Sequence, residues 1–231
     1  MKLAIFDVDG TLFDGNLGIE FLKVLIKEQI FPPEIGKQIF ALYEKYKSGE
    51  IEKSIVVDQI YELYAIGMKD CNTKDVNRCA LATWEIVKER SFPFVEGLIK
   101  GVMDKQYRIL LISGSPIEMI TIFANSLGID DDNIIAGTIG IKDGIYTGDV
   151  ISYPGSSEQK IESLDLWISE NDFDIDWESS IAMGDNERDY GILKRVGQGF
   201  AINPNNKLFE LIEGTSIAVV DEETLENIFN Y

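Results

Sequence analysis

Five short, nearly continuous apolar runs punctuate the chain: Leu3-Ala4-Ile5-Phe6, Ile109-Leu110-Leu111-Ile112, Ser180-Ile181-Ala182-Met183, Gly199-Phe200-Ala201-Ile202 and Ile217-Ala218-Val219-Val220. None alternates apolar with polar residues, so each reads as a strand buried on both faces, the pattern of a parallel sheet covered by helices. Several are followed by Asp, Ser or Gly and then by helical periodicity. Strand, polar turn, helix predicts a doubly wound, Rossmann-like α/β core, a fold that binds ligands at the carboxyl ends of its strands.

The order is interrupted between Leu17 and Phe92, where no strand pattern occurs. Ile35, Ile39, Phe40 and Tyr43 mark one helical stripe, and Val76, Ala80, Trp84 and Val87 mark another. Pro32-Pro33, Ser48-Gly49 and Gly67 divide this stretch into about four helices. The expected organisation is a core made of residues 1–15 and 93–231, with a small helical domain, residues 16–92, inserted after the first strand. From Thr138 to Val150, Lys142-Asp143-Gly144 separates two strand-like runs as a hairpin turn would.

Length and composition narrow the chemistry. The 231 residues suit one α/β domain with a smaller insertion, and 45% hydrophobic with 26% charged residues is a globular composition. The 21 basic and 40 acidic residues leave a net charge of −19. That surface repels nucleic acid and anionic membranes, so neither is expected as a partner. The chain has no histidine, which excludes Ser-His-Asp triads, Cys-His pairs and His-ligated zinc. Cys71 and Cys79 are expected to be buried small apolar residues rather than a redox or metal pair. Few cysteines, a strand directly at the N-terminus and no apolar run near the roughly 20 residues that span a bilayer point to the cytoplasm.

Candidate chemistry concentrates in Asp7-Val8-Asp9-Gly10-Thr11, where the first strand ends. Carboxylates at i and i+2 point to one side of an extended backbone, and a hard cation is needed if phosphate is to approach them. Gly10 permits a sharp turn. Asp-x-Asp-Gly also occurs in calcium loops, although the rest of that pattern is not clean here. Three further pieces follow other predicted strands. Ser113 follows the strand ending at Ile112, and Gly114-Ser115-Pro116 open a helix, so a hydroxyl and free N–H groups make a natural anion site. Lys160 follows a Gly-Ser-Ser loop, and Gly184-Asp185-Asn186-Glu187-Arg188-Asp189 adds carboxylates. The structural readings of these residues are a turn at Asp7 and Asp9, a helix cap at Ser113 or Asp185, and a solvated Lys160. Trp84, Trp167 and Trp177 are read as packing residues.

These four motifs, in this order, resemble those of the haloacid-dehalogenase-like hydrolases, and within them the phosphoserine-phosphatase-like branch. The resemblance covers nearly the whole chain and includes the helical insertion and the run Lys142 to Val150. It implies a phosphatase in which Asp7 is the nucleophile and Asp9 the general acid and base. Asp7 and Asp185 would bind Mg2+ by side chains and Asp9 by its carbonyl. Ser113, Gly114 and Lys160 would hold the phosphoryl group, and Asp189 would position Lys160 or a metal-bound water, with Gly10 and Thr11 in support. The implied substrate is a small phosphorylated metabolite, and the implied assembly a monomer or homodimer. The branch's acidic and arginine cap positions fall, by count, on Asn16 and Asp58, and no arginine precedes Arg78. Phosphoserine is therefore expected to be a poor substrate. Two other functions fit parts of the pattern: a phosphotransferase or phosphomutase on the same scaffold, and a receiver-like phosphate acceptor, which Asp9 and the insertion argue against.

Overall fold

The computed structural model describes residues 1–48 and 53–229. Its first strand, β1 (Leu3–Phe6), shows why unbroken apolar runs were needed. Ala4 and Phe6 pack into one hydrophobic cluster and Leu3 and Ile5 into another, on opposite faces of the sheet. β2 (Arg108–Pro116), β5 (Ile181–Gly184) and β6 (Gln198–Ile202) divide their residues between the same two clusters. Both faces are dry, so alternation would have exposed polar groups to neither water nor a partner.

With β3 (Ile134–Lys142), β4 (Ile145–Ser152) and β7 (Ala218–Val220), these strands form a seven-stranded sheet in the order β4-β3-β2-β1-β5-β6-β7. Pairing is parallel except between β3 and β4. From β1 the chain runs outward to β2 on one side and later to β5 on the other. That reversal creates a crevice at the carboxyl end of β1.

Helices α1 (Leu17–Lys27), α2 (Pro33–Lys47), α3 (Lys53–Met68) and α4 (Thr73–Val87) follow β1. Both predicted stripes turn inward, with Ile39, Val76 and Ala80 buried. Pro33 opens α2 and Ser48 ends it, whereas Gly49 lies outside the described residues. Gly67 marks the end of α3, as expected. It is the penultimate residue of α3, and the Phe31 ring occupies the place of its missing side chain, 2.0 Å from where a Cβ would stand. The helices α5 (Val95–Asp104) and α6 (Ile117–Ser126) cover the same face of the sheet. α7 (Ser157–Glu170), α8 (Tyr190–Arg195) and α9 (Asn206–Ile212) cover the other face, and α10 (Glu222–Phe229) returns to the first.

The hairpin forms at Asp143 and Gly144, with φ of 53° and 79°, the left-handed pair that a two-residue turn requires. Its first arm is longer than the sequence pattern indicated, because Ile134 to Gly137 pair in parallel with β2 before the hairpin begins. Gly137 obscures that strand in the sequence. It is there because the Tyr61 ring lies on it, with Oη 2.5 Å from a would-be Cβ. The hairpin also ties to the inserted helices, through Asp70 N–H to Tyr146 O at 2.9 Å and Tyr146 N–H to Cys71 O at 3.0 Å. Cys71 and Cys79 are buried and free, as expected. Trp84 packs edge-on to Phe123 and Trp167 against Phe173. Among the described residues no helix is long and apolar enough to cross a membrane.

Candidate active site

Asp7 is the first residue beyond β1, and it is buried. The chain then turns at Gly10 with φ of 89°, a conformation that side chains rarely adopt. A Cβ there would lie 2.5 Å from Asp185 Oδ2, so only glycine lets the loop after β1 meet the loop after β5. Thr11 joins the two carboxylates: its hydroxyl is 3.3 Å from Asp7 Oδ2 and 3.4 Å from Asp185 Oδ1.

Lys160 arrives from the first turn of α7, which Ser156 and Gln159 start with a reciprocal capping box. A lysine there is ordinarily solvated, yet this one is 3% exposed. Its Nζ lies 2.6 Å from Asp7 Oδ1 and 2.6 Å from Asp189 Oδ1, and donates to Ile112 O at 3.3 Å. Asp189 Oδ2 accepts the amides of Asp185 at 3.1 Å and Asn186 at 3.2 Å. Both Asp189 oxygens are thus engaged within the protein.

Asp9 points to the other side of the loop. It accepts the Leu17 amide at 2.7 Å and hydrogen bonds from the hydroxyls of Ser115 and Ser113, the latter at 3.4 Å. Asn16 caps α1 through Ile19 N–H at 2.8 Å and donates to Asp9 at 3.4 Å. Ser113 is fully buried, and its oxygen accepts the Ser115 amide at 3.1 Å. Gly114 and Ser115, rather than Ser113, reach the cavity wall. The strand continues through them to Pro116, so the helix starts at Ile117, later than the sequence indicated.

Burial and crowding set the electrostatics. Burial, then repulsion from Asp189, pushes the Asp7 carboxyl up to about 8, against the pull of Lys160. Burial and Asp189 push Asp185 up to about 6. The Asp9 carboxyl is also raised by burial, partly opposed by Leu17 N–H and Ser115. Lys160 stays charged because Asp189 and Asp7 outweigh the cost of burying it. Carboxylate oxygens of Asp7, Asp185 and Asp189 lie within 4.8 Å of one another. Such crowded, desolvated, all-oxygen donors fit a small hard dication, which would relieve the repulsion that raises Asp7 and Asp185.

Above this cluster opens a cavity of about 300 Å³. Asp7, Asp9, Asp185 and Lys160 form its floor, and Tyr43, Tyr46, Tyr61, Tyr64 and Tyr153 contribute to its walls. Asn16 lines it as well, whereas Asp58, the other counted cap position, is exposed on α3 away from the lining. Among the lining residues to which the sequence assigned no role are Ser115, Asn186 and Arg188. Arg188 was legible in principle, as a cation inside an otherwise acidic run. The tyrosines resembled ordinary helix-packing residues, and only tertiary structure turns them toward one space.

A protein-family model described as haloacid dehalogenase-like hydrolase matches residues 4–194. The chain is 24% identical over 214 residues to a histidinol-phosphatase of Neisseria meningitidis serogroup C (strain 8013), covering 90% of this chain and 92% of that protein. A crystal structure of a protein of unknown function from Bordetella pertussis Tohama I has a TM-score of 0.79 at 19% identity, over 96% of this chain and 98% of that one. A phospho-aspartyl intermediate analogue of phosphoserine phosphatase has a TM-score of 0.65 at 21% identity, over 99% and 98% of the two chains. At such identities the structural likeness bears on the fold.

Proposed function

Because the chain belongs to the haloacid dehalogenase-like hydrolase family, as a phosphatase, we propose that it hydrolyses a small phosphomonoester through an aspartyl-phosphate on Asp7, with Mg2+ as cofactor. The observation that carries this reading is the Asp7 carboxylate at the foot of the cavity, 2.6 Å from a buried lysine and inside an acidic triad.

An Asp7 oxygen attacks phosphorus as the ester P–O bond breaks, and the leaving alkoxide takes the proton of Asp9. Water then attacks the phosphoryl group, Asp9 takes its proton, and the Asp7 O–P bond breaks to free inorganic phosphate. The raised affinity of Asp9 for a proton suits this double duty, since its side chain must be protonated first and ionised later. Lys160, fixed by Asp189, and the Gly114–Ser115 segment of the cavity wall would hold the phosphoryl oxygens as charge redistributes. The side chains of Asp7 and Asp185 and the carbonyl of Asp9 would hold Mg2+, which when bound offsets the negative charge of carboxylates and phosphate. Asp189 is assigned to position Lys160. Residues 16–92 act as a cap whose tyrosines exclude water from the transfer.

The test is phosphate release from a panel of phosphorylated metabolites, headed by histidinol phosphate and phosphoserine, with and without Mg2+. The wild type releases phosphate without an added acceptor, and Asp7→Asn abolishes both turnover and the covalent phosphoenzyme. Retained turnover in that variant refutes the mechanism. Transfer of the phosphoryl group to an added acceptor alcohol, with no inorganic phosphate released, makes the protein a phosphotransferase instead.

A further inference from the structure

Arg188 is the second cation of the cavity, and its circumstances differ from those of Lys160. Its backbone amide and Nε both donate to Asn186 Oδ1, at 3.0 and 2.9 Å, which fixes the side chain against a residue only 4% exposed. Lys160 is engaged by two carboxylates. Among the described residues, the terminal nitrogens of Arg188 make no hydrogen bond or ion pair, and the residue lines the cavity. On the cap side its charge is felt by Tyr46 and Tyr153, and on the floor it reaches Asp7, Asp9, Asp185 and Asp189. The described cap residues that line the cavity, from Asn16 to Tyr64, include no charged side chain.

We propose that Arg188 is a specificity-determining residue that pairs with a carboxylate on the leaving-group side of the substrate, so that the preferred phosphomonoester carries a second anion. This rests on the phosphatase reading above. The floor carboxylates act on Arg188 only through space, with none bonded to its terminal nitrogens, and its planar pair of terminal N–H groups matches a carboxylate in two-pronged fashion. The phosphoryl group already has Lys160 at its proposed position. Arg188 comes from the core loop after β5, which explains how a chain with no arginine before Arg78 can still meet a substrate acid. By the same charge, esters that carry an ammonium group are disfavoured.

The experiment compares 3-phosphoglycerate with glycerol 3-phosphate, which differ only by a carboxylate in place of a hydroxymethyl group, with p-nitrophenyl phosphate as a reference. The wild type is expected to favour 3-phosphoglycerate in kcat/KM. Arg188→Gln is expected to cut that preference by about tenfold or more, mainly through KM, the scale of one charge-assisted hydrogen bond. Arg188→Lys, which keeps the charge but not the fork, is expected to retain an intermediate preference and carries the comparison if the glutamine variant does not fold. The proposal is overturned if the preference is the same in wild type and variants, whether because both substrates lose activity alike, as a phosphoryl contact would give, or because neither does. A wild type that hydrolyses none of the three esters defeats the phosphatase reading itself, and this inference with it.

Discussion

Lys160 and Asp189 form a salt bridge of 2.6 Å in which the side chains are 3% and 0% exposed. The pair ties the first turn of α7 to the loop after β5, whose Asp185 and Asn186 amides Asp189 also accepts. Breaking a buried pair costs about 3–5 kcal/mol where the charge left behind is uncompensated, and here Asp7, 2.6 Å from Lys160, offsets part of that cost. Asp189→Asn should therefore lower the melting temperature measurably and weaken phosphate inhibition, since Lys160 loses its orientation. A variant that melts like wild type would mean that Asp7 alone suffices to hold the lysine.

For Asp9 the expectation separates chemistry from binding. Asp9→Asn keeps the oxygen that can accept the Leu17 amide, now at 2.7 Å, but cannot exchange a proton. Turnover should fall by about 10²–10⁴, the usual contribution of general acid–base catalysis. Mg2+ affinity, read by calorimetry, should change little. Near-normal turnover would remove Asp9 from its proposed role.

Mg2+ should stabilise the protein in a pH-dependent way. In the metal-free fold the carboxyls of Asp7 and Asp185 are raised from 3.8 to about 8 and about 6, chiefly by burial. The folded state therefore binds more protons than the unfolded state across that window. Their contribution to stability is full below pH about 4 and is lost as pH rises through 6 and then 8, at about 1.4 kcal/mol per pH unit for each fully differing proton. Mg2+ competes with those protons, so the increase in melting temperature on adding it should be large at pH 8 and small at pH 5. Scanning fluorimetry with Mg2+ or EDTA at each pH measures this, and an equal increase at both would contradict metal binding at these carboxylates.

Gly10→Ala should be disproportionately harmful for the loss of one hydrogen. The new methyl would meet Asp185 Oδ2 at 2.5 Å in a backbone conformation with φ of 89°. The loops after β1 and β5 would have to separate, and Mg2+ affinity should drop by about tenfold or more, as when the supports of a metal ligand are disturbed. Wild-type affinity in this variant would show that the loops can adjust without moving Asp185.

The order of motifs along the chain determined much of this protein. Apolar runs fit for two dry faces specified the buried strands, and Asp7, Asp9 and Asp185 could be picked out because each falls just after a strand. Asp143 and Gly144 specified a hairpin for the same local reason. What required the folded chain is whatever depends on distance between segments. The first half of β3 was hidden by Gly137, which makes sense only against Tyr61. Lys160 looked solvent-facing until Asp7 and Asp189 were seen beside it. Arg188 and Ser115 entered the cavity through loop geometry that no periodicity encodes. Local sequence sets backbone preference and burial pattern, whereas partners 29 to 174 residues apart meet only once the sheet orders its strands, and charge acts over the distances that ordering creates.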